Sequence, residues 1–417
     1  MTGTIHIVGA GVAGLAAAVE SAGSGRAVIL YESAGHAGGR CRSFVDEGMG
    51  GLIDNGNHLL LSGNDAAVAY LNRIGSHSTM HEGEAAFPFL DLRTGARWAI
   101  RAAQGPMPWW VFSAATRAPG TSALDYLRGL ALGLLGKKFT VAEALNLRKS
   151  APGREMFWDP LTIAVLNAEA DEVAASLLWA VLRETVGRGA AACRPLIARE
   201  GLGPSLIDPA VSFLSRRGVD VRFNARLRAV TMDADRVRTL RFADGDATLG
   251  ADDAVILALP PWAIAELLPG VPTPEGTRAI VNAHFRVPTL AGAPRLLGLV
   301  GGTAQWIFVR AGLASVTISA ADRLAEEDSE VIAARAWDDV RRALGLKDAP
   351  LPAHRVVKEK RATPAQTPAN LARRAATATA WRNLFLAGDW TDTGLPATIE
   401  GAIRSGNKAA AIARRPR

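Results

Sequence analysis

Cysteine is nearly absent: Cys41 and Cys193 are the only two in 417 residues. They belong to no metal-ligand spacing, and two thiols make no disulfide framework of the sort small secreted domains depend on. A reducing cytoplasm is the expected compartment. No apolar run reaches the roughly 18–20 residues that a membrane-crossing helix needs, and the opening residues carry no basic, apolar leader. A transmembrane protein is therefore not expected, and peripheral contact with the inner face of the cell membrane stays open. Long basic tracts are missing as well. The 47 Lys and Arg outnumber the 40 Asp and Glu for a net charge of +7, but they are dispersed, so nucleic-acid binding is not expected. There is no low-complexity tract and no repeat of solenoid period.

What is present fits an ordered enzyme. Hydrophobic residues make up 49% and charged residues 21%, with 42 Gly and 22 Pro. The mean hydropathy of +0.12 leaves room for an apolar ligand or a membrane-facing patch. The length exceeds what one core usually organises, which points to two connected domains.

The strongest local signal lies near the start. Thr4–Val8 reads as a short buried strand, Val12–Ser24 as a helix and Ala27–Tyr31 as a second strand. Gly9, Gly11 and Gly14 fill the turn between the first two in Gly-x-Gly-x-x-Gly spacing. Without side chains there, backbone amides can approach a pyrophosphate and the helix start can face its charge. Glu32, ending the second strand, suits the ribose hydroxyls. The pattern fits FAD or NAD. Gly38, Gly39 and Arg40 follow, with Arg40 placed to neutralise a phosphate or organise the flavin side. A second strand, turn and helix start lies far downstream: Leu384–Leu386, then Gly388 and Asp389, then Pro396–Thr398 and Glu400–Ala402. The two segments are expected to converge.

Elsewhere, residues of about 80–190 read as helical segments broken by Pro and Gly. Arg194–Arg217 reads as a turn and a mixed helix. Short strands are expected at Val219–Phe223, Ala229–Thr231, Val237–Phe242, Val255–Leu259, Leu296–Val300, Trp306–Val309 and Ser315–Ser319. Ala320–Leu344 and Thr398–Ile412 read as helices. The expected fold class is α/β: a discontinuous Rossmann-like FAD-binding domain from 1–75, 190–262 and 355–417, interleaved with a mixed α/β substrate domain from 76–189 and 263–354.

His58, in DNGNH at 54–58 beside apolar Leu59–Leu61, is the polar residue best suited to chemistry. Neutral, it can accept a proton or orient water; protonated, it can help a hydroxyl leave. A core histidine is the plainer alternative, and His284 beside Asn282 reads as a packed residue. Asp54 reads as a turn or cap residue, and Asp159, Glu169, Asp171 and Glu172 as solvated helix charges. Met107, Trp109, Trp110 and Phe112 form an apolar cluster suited either to a lipid or membrane contact or to packing; Trp158 and Trp179 add bulk. No Ser/His/Asp constellation is evident, so the chemistry is assigned to a cofactor.

The glycine-rich opening, GGRCRS at 38–43, DNGNH at 54–58, IVNAHF at 280–285, EKRATPAQTP at 359–368 and AGDWTDTGLPATIEGAIRSG at 387–406 together resemble the amine oxidase and phytoene-desaturase-like flavoprotein superfamily. Within it they are most similar to the squalene-associated hydroxysqualene dehydroxylases. The resemblance spans nearly the full chain and implies an amine-oxidase-like architecture with FAD as cofactor. It puts Gly9, Gly11 and Gly14 at the pyrophosphate, Glu32 at the ribose, Gly39 and Arg40 beside the flavin, and backbone near Val230 at the adenine. Asp389, after cofactor-binding Gly388, falls near the ribityl chain or the pyrophosphate, and Thr398, Glu400, Gly401 and Ala402 at the flavin. It further implies replacement of an allylic hydroxyl of hydroxysqualene by hydride from reduced FAD, in squalene and hopanoid biosynthesis. A carotenoid or phytoene desaturase, and a protein that holds FAD without turnover, are the alternatives.

Overall fold

The computed structural model describes residues 3–105, 107–290, 292–310 and 312–415. Two β-sheets organise it. The first is a five-stranded parallel sheet in the spatial order Asp220–Arg222, Val28–Tyr31, Ile5–Val8, Ala254–Leu257 and Leu384–Leu386. Its central strands are apolar on both faces, as parallel strands covered on two sides must be: Ile5, Ile7, Leu30, Ile256 and Leu257 are fully buried. In register, Val8 stands opposite both Tyr31 and Leu257, so the loops that leave these strands emerge along one edge. Helices Val12–Ser21 and Ile399–Ala413 pack together against one face. They touch so closely that a Cβ on Gly406 would stand 2.1 Å from the Ala13 carbonyl oxygen.

The second sheet has seven strands, in the order His354–Pro364, Thr277–Arg286, Leu313–Ile318, Trp306–Arg310, Leu296–Val300, Ala86–Asp91 and Arg97–Arg101. Helix Ser329–Ala343 covers it, burying Ala333, Ala336 and Val340 against Val281, Phe285 and Val316. Between the two sheets in sequence, short helices from Ala123 to Glu184 build a further core around Leu132, Trp158, Leu177 and Leu178.

Several sequence expectations change. The stretch 80–101 is strand, not helix: Phe87, Phe89 and Asp91 alternate with Pro88 and Leu90, and Thr94–Gly95 turns the chain into the next strand. The strand His354–Pro364, placed by sequence almost wholly in the segment from 355 onward, pairs with Thr277–Arg286 as an edge of the seven-stranded sheet. Pro195–Ala198 is a strand joining Leu60–Leu61 and Met80–Glu82. Asp159 and Asp171 are not simply solvated: both bind the guanidinium of Arg154, whose side chain is only 2% exposed, at 2.8 and 3.0 Å. A buried charge needs such partners.

Candidate functional site

The loops at the C-terminal edge of the parallel sheet enclose a cleft of ≈ 680 Å³ whose far wall is the seven-stranded sheet. Its volume lies within the range of cofactor and small-molecule sites. Val8, Gly9 and Gly11, Glu32, Gly39 and Arg40, Gly388 and Asp389, and Thr398, Ile399 and Ala402 all line it, so the two ends of the chain form one site.

The three glycines of the opening turn differ in what they do. Gly9 takes a φ of +101°, and a Cβ there would sit 2.5 Å from the Ala258 carbonyl oxygen. A Cβ at Gly14 would fall 1.8 Å from the Gly9 carbonyl oxygen, so this glycine lets helix meet strand and does not itself line the cleft. Gly11 has no heavy atom within 4 Å of its missing Cβ and opens directly onto the cleft floor. The helix beginning at Val12 therefore presents its start to open space of the kind a pyrophosphate fills.

Glu32 stands at the mouth. One carboxylate oxygen accepts from the Ala10 backbone N–H at 2.8 Å, and the other from the Ala34 N–H at 2.9 Å and the Ser33 hydroxyl at 3.0 Å. This fixes the carboxylate beyond the second strand. Arg40 donates to Asp389 at 2.8 Å and to the carbonyl of Ala362, linking the two glycine-rich segments directly. Burial opposes its charge, but Asp389, with help from Glu359, outweighs that and holds the guanidinium above its ordinary pKa. Thr398 caps the terminal helix by accepting from the Gly401 N–H at 3.1 Å, leaving that helix start aimed at the cleft.

Three further expected contacts point elsewhere. Glu400 does not line the cleft: its carboxylate accepts from the N–H groups of Ala66 and Ala67 at 3.1 and 2.8 Å and pairs with Arg404 at 2.6 Å. Gly401 faces the Pro396 carbonyl oxygen, 2.9 Å from where its Cβ would be. Val230 also lies outside the lining, packed in a separate apolar cluster, whereas Ala225, Arg226, Leu227 and Arg228 reach the cleft.

On the opposite wall, strand Thr277–Arg286 contributes Ile280 and Asn282, and strand His354–Pro364 contributes Glu359, Arg361 and Thr363. None was singled out as a site residue from sequence. Their period of two, facing one way from a strand, is the signal that would have found them. Trp262, beneath the Arg361 guanidinium at 4.7 Å from ring centre to Cζ, completes this wall.

His58 lines the cleft beside Asn57. Burial lowers its pKa to about 4, only partly countered by Asp54, so the imidazole is neutral at physiological pH. Cys41 also reaches the cleft, but burial pushes its thiol up to about 12, which leaves it protonated and inert. His284 is fully buried, bonded through Nδ1 to Ser315 Oγ at 2.8 Å, and does not reach the cleft. Asp54 is more than a turn residue. It pairs with Arg310 of the seven-stranded sheet at 3.0 Å and accepts from the Leu202 N–H at 2.9 Å. Nearby, Asn282 donates to the Asn55 carbonyl at 3.2 Å and accepts from Thr317 at 2.9 Å, so the 54–58 loop is clamped to the second sheet.

The flavin containing amine oxidoreductase family model matches residues 12–413. A hydroxysqualene dehydroxylase of Rhodopseudomonas palustris is 48% identical over 412 residues, covering 98% of this chain and 98% of that protein. Another, from Zymomonas mobilis, is 47% identical over 98% of each. A protein named probable zeta-carotene desaturase from Synechococcus elongatus is 23% identical over 61% of this chain and 57% of its own length. Among solved structures, cyclohexylamine oxidase from Brevibacterium oxydans superposes with a TM-score of 0.73 at 18% identity, covering 99% of both chains.

Proposed function

The chain belongs to the flavin-containing amine oxidoreductase family, alongside the hydroxysqualene dehydroxylases that match it end to end, and from this premise we propose that it converts hydroxysqualene to squalene and water. The observation that carries the substrate is the contrast in likeness: 48% identity over 98% of the chain to a dehydroxylase, against 23% over 61% to a desaturase-named protein. The cleft itself accounts for the cofactor, because two helix starts, Arg40 and Asp389 meet on one apolar-backed floor.

The residues fit FAD. Backbone at Gly9, Gly11 and Gly39 would face the pyrophosphate, Glu32 the ribose, and Ala225–Arg228 the adenine end. Arg40, Gly388, Asp389, Thr398 and Ala402 would hold the flavin end. Reduced FAD, when bound, supplies the hydride equivalent that replaces the allylic hydroxyl, which leaves as water once a proton is added.

The protein's own part is to place the lipid, limit water and manage that proton. Leu259, Trp262 and Ile280 give the cleft an apolar wall, and a reacting carbon held there is sheltered from premature hydration. His58 is kept neutral, so it carries no standing proton to give. Its N–H can instead hold the departing hydroxyl, and its other nitrogen can take up a proton relayed from solvent.

The test is to reduce the purified holoprotein anaerobically, add hydroxysqualene and follow product and flavin together. Squalene should form in step with the return of oxidised-flavin absorbance. Intact flavin binding with unchanged lipid would reject the assignment, and bleaching of the oxidised protein by a polyene with fewer conjugated double bonds, which gains one as the flavin is reduced, would favour a desaturase.

A further inference from the structure

We propose that the segment from Met107 to Phe139 is a docking surface for an anionic lipid bilayer, lying in its interface without crossing it. Nine of the twelve large apolar side chains that are exposed among the described residues fall in this one stretch. The consecutive helical turns Ala123–Leu127, Arg128–Leu130 and Ala131–Leu134 form a nearly continuous run. Its amphipathicity is inverted relative to a normal surface helix.

The inner face is tightly seated: Tyr126 and Leu132 are buried, and a Cβ on Gly129 would stand 2.5 Å from the indole of Trp158. The outer face carries Leu124, Leu127, Leu130 and Leu134, spaced three to four residues apart, with Leu134 83% exposed. Just upstream, Trp110 is anchored against Tyr126, with ring centres 5.0 Å apart, while Met107, Trp109 and Phe112 project outward. A stripe of leucines flanked by an exposed tryptophan is the composition of an interfacial element.

Charge selects the partner. The stretch holds one acid, Asp125, and its carboxylate is occupied by the backbone and hydroxyl of Ser122 at 2.7 and 2.8 Å. Arg128 is likewise occupied, donating to the carbonyls of Leu145 and Asn146. Lys137 and Lys138 are exposed at the end of the leucine stripe, between Leu135 and Phe139, with no partner among the described residues. The outward face is thus apolar and positive, which suits anionic headgroups over acyl chains. A second copy would present the same two lysines, a poor match for this face. No helix among the described residues is long and apolar enough to cross a membrane, so the contact is peripheral. The inference concerns where the protein sits and stands independently of the reaction it performs.

Flotation of the full-length holoprotein with vesicles tests it without any substrate. The protein should bind vesicles of phosphatidylethanolamine and phosphatidylglycerol, bind phosphatidylcholine vesicles more weakly, and be released by high salt. Leu130→Glu/Leu134→Glu should lower partitioning at least about tenfold. Lys137→Ala/Lys138→Ala should lower it roughly fivefold per lysine on the anionic vesicles alone. Both variants should keep bound flavin and their thermal midpoint. Failure of the wild-type protein to bind either vesicle would overturn the proposal, as would equal binding by the leucine variant. So would a dimer in sedimentation that the leucine variant splits while vesicles capture neither form.

Discussion

Gly11 and Gly14 are three residues apart and are glycine for opposite reasons. Valine at Gly11 meets no neighbour within 4 Å of its Cβ and projects into the cleft, so Gly11→Val should fold, lose flavin on gel filtration and melt at the thermal midpoint of the flavin-free parent. Alanine at Gly14 drives a Cβ to 1.8 Å from the Gly9 carbonyl oxygen. Gly14→Ala should lower stability by about 1–3 kcal/mol or more, measurable by denaturant unfolding. His284 makes a pH prediction. Burial holds its pKa at about 4 against an ordinary 6.5, so the unfolded chain binds its proton first as the solution is acidified. Its contribution is fully present above about pH 6.5 and is lost as pH falls towards 4. The thermal midpoint should drop across that window, and His284→Gln, which cannot titrate, should flatten the drop. An unchanged pH slope in the variant would contradict the assignment. The three glycines were legible in the sequence because backbone geometry dictates them. The neutrality of His58 and His284 was not, since it depends on burial supplied by strands hundreds of residues apart.

At the level of elements, the terminal helix Ile399–Ala413 was legible from its cap and periodicity, but the direction of its first turn was not. Thr398, Ile399 and Ala402 face the cleft, whereas Glu400 turns away to cap the helix Asp65–Ile74 and to meet Arg404, which also binds Glu184 at 2.6 Å. Only the neighbouring helix decides which of two adjacent residues touches a ligand. Glu400→Ala should therefore cost roughly 2–4 kcal/mol of stability in denaturant unfolding, while the folded fraction keeps the flavin spectrum of the parent. Loss of flavin without loss of stability would return Glu400 to the cleft. The strands at 86–101 were hidden for another reason. Their alternation is short, interrupted by Pro88, and followed by an aromatic, leucine-rich stretch whose composition reads as helix.

Across the whole molecule, the cleft exists because chain segments hundreds of residues apart are brought onto one sheet edge. Arg40 and Asp389 stitch them, and Asp54 with Arg310 ties that edge to the seven-stranded sheet. A ligand spanning such a junction should stabilise the entire fold, by about 3 kcal/mol at a hundredfold excess over its dissociation constant. Removing FAD should lower the thermal midpoint, and Arg40→Ala should shrink the gap between flavin-loaded and flavin-free protein. The two-ended site was the part of this architecture that sequence foretold best, because each end carries its own strand, turn and helix start. The opposing wall was not foretold, being formed by strand faces whose partners no local pattern names.

The central claim is that this cleft passes hydrogen from reduced flavin to a lipid carbon. Single turnover of the reduced holoprotein with hydroxysqualene in deuterated water tests it most directly, since the transferable hydrogen of reduced flavin exchanges with solvent. The account predicts squalene carrying one deuterium on the carbon that bore the hydroxyl, formed in step with flavin oxidation. Squalene free of deuterium, or flavin oxidation with the hydroxyl retained, would contradict it.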